Sequence, residues 1–265
     1  MVGILKSLGR LCFYASIGLC LGYIAQHNIN EVNRVPSQTE IFSIDNNSRH
    51  HLVSRQDRII KNSRNSTVRI LSMSAEDGSV ASSSGTYVTM FEHHYIITTR
   101  HGIIGDCAGT VIVANDIAHE CLKFIELNTD VDYAIIQVDE IPNSEPIKVP
   151  KMVARTHKEW VNSLSVMSRT YYTGFPNNIG PLTIDGNIVG HHSDGFIYLK
   201  SYAWHGSSGS GVFSETGKYI GYIIAIDVGN GLTGPQVIDN IVLVVPAYKI
   251  NWLSALNSLQ EESQQ

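Results

Sequence analysis

The chain has 265 residues, of which 43% are hydrophobic, and it carries a formal net charge of −5 at pH 7. A chain of this length and composition can bury the core of one large all-β domain or of two small domains. Because no dense basic block is present, we expect no nucleic-acid partner.

The first segment is apolar and lies behind a positively charged flank. Lys6 and Arg10 precede residues 11–25, which contain no charged side chain. This layout is typical of a secretory signal, and the run is shorter than the roughly 20 residues that span a bilayer comfortably. We therefore expect residues 1–25 to be a cleaved signal peptide or an uncleaved signal anchor, in a secreted or membrane-anchored protein. A buried helix of a cytosolic protein is the alternative.

The next region, residues 26–66, is rich in Asn, Ser and Arg and has only scattered apolar residues. Such a composition cannot bury enough apolar surface to fold alone, so it predicts a polar stalk or linker. One short helix is expected within it, around residues 53–61.

Residues 67–145 consist of short runs rich in Val, Ile, Thr and Tyr, separated by Gly, Asn and Asp. These runs have no helical period and predict strands and turns. Cys107 and Cys121 flank a strand, an Asn115-Asp116 turn and a second strand, so a hairpin could bring the two thiols together. In an exported protein they could form a disulfide; two buried free thiols are the alternative.

A connector with three prolines, at residues 141–151, precedes a second series of strand-like runs within residues 146–259. A terminal helix with one apolar face is predicted by the spacing of Tyr248, Trp252, Ala255 and Leu259. Residues 260–265 form a tail. Two halves of about six short strands predict an all-β fold of two six-stranded antiparallel barrels, followed by a C-terminal helix.

Three short motifs lie at the edges of these predicted strands. His101 ends a hydrophobic strand in TTRH, Asp132 begins the strand DYAII, and Ser208 lies in GSSGS. A Gly-Ser run by itself is usually a linker. This one is flanked by strand-like runs on both sides, where a flexible linker would be out of place.

Together these motifs resemble those of trypsin-like serine proteases of the chymotrypsin fold. The family pattern is Thr-x-x-His, Asp-hydrophobic-Ala and Gly-x-Ser-Gly, in this chain order. Order and spacing most resemble the bacterial branch of HtrA-type and glutamyl endopeptidases, as does the strand end YYTGFPNN. The resemblance covers residues 67–259 and implies a serine endopeptidase that cleaves proteins or peptides. We expect no cofactor and no metal site, because the chain has no CxxC pair and the two histidines of an adjacent pair point to opposite faces of a strand.

The resemblance also implies a role for each residue. A neutral serine hydroxyl is a poor nucleophile, so Ser208 needs His101 as a base, and His101 later protonates the leaving amine. Asp132 would hold the imidazole in the required tautomer. The backbone N–H groups of Gly206 and Ser208 would form the oxyanion hole.

Neighbouring residues offer alternatives to two of these assignments. Ser207 and Ser210 are rival nucleophiles, and Asp130 is a rival carboxylate; the family pattern favours Ser208 and Asp132. In many animal members the residue before the nucleophile is an Asp that pairs with a new N-terminus after activation. Because Ser207 is uncharged, we expect activity without that switch.

The primary specificity pocket is implied to lie between the segment before Gly206 and the strand GYIIAID. Neither the acidic floor of trypsin-type members nor the polar residues of glutamyl members are present. Since burying an uncompensated substrate charge is costly, we expect an apolar P1 side chain. The residues assigned to this pocket are Tyr202, Ala203, Ile224, Ala225 and Ile226.

The leading hypothesis is a serine endopeptidase that acts through an acyl-enzyme intermediate. Its partners would be protein or peptide substrates, and the membrane if the N-terminal segment is not cleaved. Two alternatives stay open: a protease-like fold that serves as a binding module without catalysis, and a self-processing protease.

Overall fold

The computed structural model describes residues 55–231, 234–255 and 257. The expected signal or anchor at residues 1–25, most of the predicted linker, Leu259 and the tail lie outside the described residues. Within the described part of the chain, no helix is both long enough and apolar enough to cross a membrane.

The first half of the fold is an eight-stranded sheet. Seven strands follow the order β5-β4-β1-β2-β3-β7-β6 through antiparallel pairs, and β8 pairs in parallel with β2. In the described residues this order ends at β5 on one side and at β6 on the other, so the sheet is a half-barrel rather than a closed six-stranded barrel. The strands are β1 (Thr67–Met73), β2 (Val80–Met90), β3 (His93–Thr98), β4 (Thr110–Ala114), β5 (Ile117–Glu120), β6 (Lys123–Asn128), β7 (Tyr133–Val138) and β8 (Ile147–Lys148).

The second half is a closed barrel of six antiparallel strands, as the sequence predicts. Its strands follow the order β10-β11-β14-β13-β12-β9 around the ring. Closure removes the unpaired sheet edges that would otherwise be exposed. The strands are β9 (Arg169–Gly174), β10 (Leu182–His191), β11 (Ile197–Lys200), β12 (Gly211–Ser214), β13 (Tyr219–Gly231) and β14 (Gly234–Pro246).

A helix within the predicted linker belongs to the folded domain. This helix, α1 (Arg55–Asn65), buries Ile59 in the core, and its Ser63 hydroxyl hydrogen-bonds the Thr173 hydroxyl of β9 at 2.8 Å. The polar composition around it hides this contact, because α1 presents only a narrow apolar side. The short helix expected around residues 53–61 is therefore present, and it packs against the second barrel.

Two further helices follow the first sheet; the first begins within the predicted connector at residues 141–151, and the second lies after it, where the sequence analysis named no element. They are α2 (Val149–Val153) and α3 (His157–Ser163). A capping box starts α3: the Thr156 side chain accepts from the Glu159 N–H, and the Glu159 carboxylate accepts from the Thr156 N–H. The spacing Thr-x-x-Glu is a sequence signal that would have located this helix.

One hydrophobic cluster joins the two halves. It contains residues of the first sheet, of the second barrel and of the helical residues 252–255. The backbone N–H of Asn251 donates to the Tyr133 hydroxyl at 3.1 Å, which ties this C-terminal segment to β7. The largest buried members are Tyr95, Tyr133, Tyr171, Phe213, Tyr219, Tyr222 and Trp252.

The hairpin between β4 and β5 turns at the predicted dipeptide. Asn115 and Asp116 have φ angles of 50° and 61°, as the two central residues of a type I′ hairpin turn require. On either side of this hairpin, Cys107 and Cys121 form a disulfide with a Cα–Cα distance of 5.3 Å.

Candidate active site

The positions of His101 and Asp132 follow from the register of two neighbouring strands. Strand β3 ends at Thr98, which pairs with Ala134 near the start of β7. The residues just after β3 and just before β7 therefore emerge at the same end of the sheet. His101 and Asp132 are these residues.

The two side chains are joined by a short hydrogen bond. His101 Nδ1 lies 2.6 Å from Asp132 Oδ2, and the His101 backbone N–H donates to Asp132 Oδ1 at 2.9 Å. Because an ionised carboxylate only accepts, Nδ1 carries the proton and Nε2 is left to accept another. The imidazole is thus fixed in the tautomer that a general base requires.

The Asp132 backbone is held as firmly as its side chain. Its φ angle of 58° is uncommon for a residue other than glycine. The Arg100 N–H donates to its carbonyl, and the Tyr222 hydroxyl of β13 donates to the carbonyl of the preceding Val131 at 3.1 Å. The rival Asp130 is exposed, and the carboxylate that contacts His101 is that of Asp132.

Ser208 lies on the loop between β11 and β12, which we call the nucleophile loop (residues 204–210). Gly206 and Gly209 have φ angles of +92° and +87°, which favour glycine. A Cβ atom at Gly206 would come 2.5 Å from the Phe175 carbonyl oxygen, and one at Gly209 would come 2.0 Å from the Ser84 carbonyl oxygen. These glycines are therefore required by geometry, as in a nucleophile loop, and do not mark a flexible linker.

Two carbonyl groups of this loop, those of His205 and Ser207, already accept hydrogen bonds from the protein. The Asn177 N–H donates to the His205 carbonyl at 2.6 Å, and the Ser210 N–H donates to the Ser207 carbonyl at 3.0 Å. In a trans peptide the N–H points away from the carbonyl, so the N–H groups of Gly206 and Ser208 face the opposite side. Among the described residues neither N–H donates to a protein acceptor, so both are available to an incoming oxygen.

One open cavity of about 500 Å³ contains His101 of the first half and Ser208 of the second. It is lined by His101, Gly206 and Ser208, by residues of β2, and by Asn177 and Asn178. The Ser208 hydroxyl donates to the Ile224 carbonyl at 3.2 Å rather than to His101. Catalytic hydrogen bonds commonly tighten only when substrate is bound.

The rival nucleophiles are buried. Ser207 and Ser210 are 1% and 0% exposed, whereas Ser208 is partly exposed in the cavity. The Ser207 hydroxyl accepts the Trp204 N–H at 3.2 Å, so it serves the internal structure of the loop.

The candidate pocket residues lie in different surroundings. The rings of Tyr202 and Trp204 are exposed and stacked 6.1 Å apart, while Ala203 between them is buried in the core of the second barrel. The Tyr172 hydroxyl donates to the Tyr202 carbonyl, and burial raises the pKa of Tyr172 well above its usual value. Ile224 is half-buried, and the side chains of Ala225 and Ile226 lie outside the described ones.

Sequence reasoning missed two contributors to this site, Ser84 of β2 and Asn177 of the loop after β9. Asn177 and Asn178 have φ angles of 49° and 62°, and asparagine tolerates this left-handed conformation better than most residues. The Asn-Asn pair was thus a usable turn signal. Ser84 lies in a run of three serines that gave no such indication.

Comparisons with known proteins agree with this fold. Residues 78–221 match the family model of the trypsin-like peptidase domain. No curated protein sequence gives a significant match. Among solved structures, the chain is similar to the Rv3671c protease from M. tuberculosis in its active form, with a TM-score of 0.54 and 16% identity over 76% of this chain and 88% of that one. It is also similar to the serine endoprotease from Yersinia pestis, with a TM-score of 0.54 and 16% identity over 80% of this chain and 67% of that one.

Proposed function

The chain belongs to the trypsin-like peptidase family of serine endopeptidases, and from this we propose that Ser208 is its nucleophile, His101 its general base and Asp132 the carboxylate that orients the base. Its substrates are proteins or peptides. The N–H groups of Gly206 and Ser208 form the oxyanion hole.

The observation that carries this proposal is the combination of the His101–Asp132 hydrogen bond with Ser208 in one cavity. The 2.6 Å bond leaves His101 Nε2 as the acceptor, and the same cavity contains the nucleophile loop with its two available N–H groups. A base, a hydroxyl and two donors around one open space are the parts that acyl transfer needs.

The reaction follows from these positions. Ser208 Oγ bonds to the carbonyl carbon of the scissile peptide while its proton moves to His101 Nε2. The carbonyl oxygen becomes an oxyanion and accepts hydrogen bonds from Gly206 and Ser208. His101 then protonates the leaving amine as the C–N bond breaks. In the second half of the reaction a water molecule gives a proton to His101 and attacks the acyl carbon, and Ser208 Oγ leaves and takes that proton back.

Labelling with a fluorophosphonate tests the nucleophile. The full-length chain should be labelled and should digest casein, and Ser208→Ala should lose both properties. Ser82→Ala is the matched control, because Ser82 lines the same cavity but belongs to β2. Labelling that persists in Ser208→Ala would refute the assignment, and an unlabelled, inactive wild type would favour a binding module.

We further propose an apolar P1 preference. Support comes from the absence of a charged side chain among Tyr202, Ala203 and Ile224, and from the burial of Ala203. A charged P1 side chain would lose its hydration without gaining a partner. A cleavage profile from a peptide library should therefore be dominated by apolar P1 residues, and one dominated by Glu, Lys or Arg would contradict the proposal.

We also propose that the protein is exported. The Cys107–Cys121 disulfide supports this, because disulfides persist in oxidising compartments. The apolar segment at residues 11–25 gives independent support from sequence. The mass of the N-terminal peptide from the native source would distinguish a cleaved signal from an anchor, and a cytosolic fraction with both thiols free would overturn the proposal.

A further inference from the structure

We propose that Ser84 is a positioning residue that presets the oxyanion hole, an inference that rests on the proposed function. Ser84 belongs to β2 of the first sheet, yet it contacts the nucleophile loop of the second barrel twice. Its backbone N–H donates to the Ser208 carbonyl at 2.8 Å, and its hydroxyl donates to the Gly206 carbonyl at 2.7 Å.

The same hydroxyl holds a second loop. Ser84 Oγ accepts the Phe175 N–H at 2.9 Å, at the start of the turn that contains Asn177. The Ser84 carbonyl accepts the Thr98 hydroxyl at 2.7 Å. Ser84 is 0% exposed, so its backbone and its hydroxyl are fixed in place with every polar group bonded.

These contacts bear on the peptide that joins His205 to Gly206. Its carbonyl accepts the Asn177 N–H, and the next carbonyl, that of Gly206, accepts the Ser84 hydroxyl. If the peptide turned over, the His205 carbonyl would replace the Gly206 N–H on the side of the oxyanion hole. Ser84 opposes this rotation of the peptide with two hydrogen bonds. Its hydroxyl donates to the Gly206 carbonyl, and it accepts the Phe175 N–H of the loop that carries Asn177.

The loop needs such a restraint. Gly206 has no Cβ atom and a φ angle of +92°, so its backbone can adopt many conformations when nothing holds it. Ser207, the residue before the nucleophile, is uncharged, and its hydroxyl has neutral partners: it accepts the Trp204 N–H and hydrogen-bonds the Tyr172 side chain. No ion pair can hold the loop from that position. The loop is linked to β2 of the first sheet by hydrogen bonds from the Ser84 N–H, the Ser84 hydroxyl and the Thr86 hydroxyl, and the Ser84 hydroxyl is the one that bonds the Gly206 carbonyl.

The test is the kinetics of Ser84→Ala. We expect kcat to fall about 10²-fold with KM nearly unchanged, because loss of one oxyanion donor costs about 10²- to 10³-fold. The affinity for a peptide boronic acid, whose tetrahedral adduct places an oxygen in the hole, should fall with kcat. If Ser84→Ala does not fold, Ser84→Cys is the variant to measure. Its thiol fills the same position but is a weaker donor, so the same fall in kcat is expected.

Ser72→Ala is the matched control. Ser72 is equally buried, on the adjacent strand β1, and its hydroxyl accepts the N–H groups of Ile104 and Gly105 at 3.1 and 3.0 Å. It should lose stability but keep kcat. A kcat for Ser84→Ala equal to that of the wild type overturns the inference.

A crystal structure of Ser84→Ala tests the positioning role apart from the enzyme assignment. A His205–Gly206 peptide that is turned over or disordered supports the inference. An unchanged peptide overturns it, whatever the activity. Failure of the wild type to react with a fluorophosphonate would instead overturn the proposed function.

Discussion

The His101–Asp132 pair and the nucleophile loop are held in place by different means. The pair lies at the ends of two adjacent strands of one sheet, and its hydrogen bonds join residues 31 positions apart. The loop belongs to the second barrel but is bonded to the first sheet through Ser84, 122 positions earlier than Gly206. The proposed base is thus set by the register of one sheet, and the proposed oxyanion hole by contacts between the two halves.

This difference predicts two kinds of sensitivity. Substitutions at the pair should change the chemistry and leave the fold intact, because His101 is half-exposed and supports little packing. Substitutions around the loop should act through geometry, because the loop is packed against backbone atoms of both halves. The predictions below test this distinction.

The largest effect is expected from Asp132→Asn. An amide cannot accept from both the His101 N–H and the Nδ1–H as the carboxylate does, and it favours the wrong imidazole tautomer, so kcat should fall about 10⁴-fold. The melting temperature should change little. Asp130→Asn, two residues earlier and exposed, is the control and should keep kcat. Equal losses of kcat in the two variants would show that Asp132 is not the carboxylate that orients His101.

A smaller loss is expected from Gly206→Ala. The new Cβ atom would lie 2.5 Å from the Phe175 carbonyl oxygen, so the loop must shift, and kcat should fall about 10²- to 10³-fold through the displaced oxyanion donor. Gly78→Ala is the control, because Gly78 also has a positive φ angle, 71°, but a Cβ atom there meets nothing within 4 Å. If both variants lose kcat alike, backbone strain and not the oxyanion geometry explains the effect.

The sequence allowed the pair to be predicted but not the support of the loop. His101 and Asp132 stand at strand ends, and strand ends can be located from apolar runs and turn residues. Ser84 acts through a contact with a residue more than a hundred positions away, and its neighbours on β2 are also serines, so no local pattern distinguishes it.

The same limit applies to the fold. The number of strands in the second barrel followed from the apolar runs. A sheet closes into a barrel only if its two edge strands pair with each other. The alternation of apolar and polar residues along one strand does not determine whether they do. The first sheet therefore proved to be a half-barrel. The helix expected around residues 53–61 is present as α1, but the polar composition gave no sign that Ile59 and Ser63 would be buried against the domain.

The smallest effect on activity is expected from removal of the disulfide in Cys107→Ser/Cys121→Ser. The bond closes a loop with a sequence separation of 14, and a loop of about 15 residues contributes about 3 kcal/mol to the free energy of unfolding. Cys107 follows His101 by only six residues, so this variant asks whether the segment after the base helps to position it. Because His101 is held by Asp132 and not by that segment, kcat should stay unchanged while the urea midpoint falls. A drop in kcat at a temperature where the variant is still folded would mean that the base is not set by strand register alone.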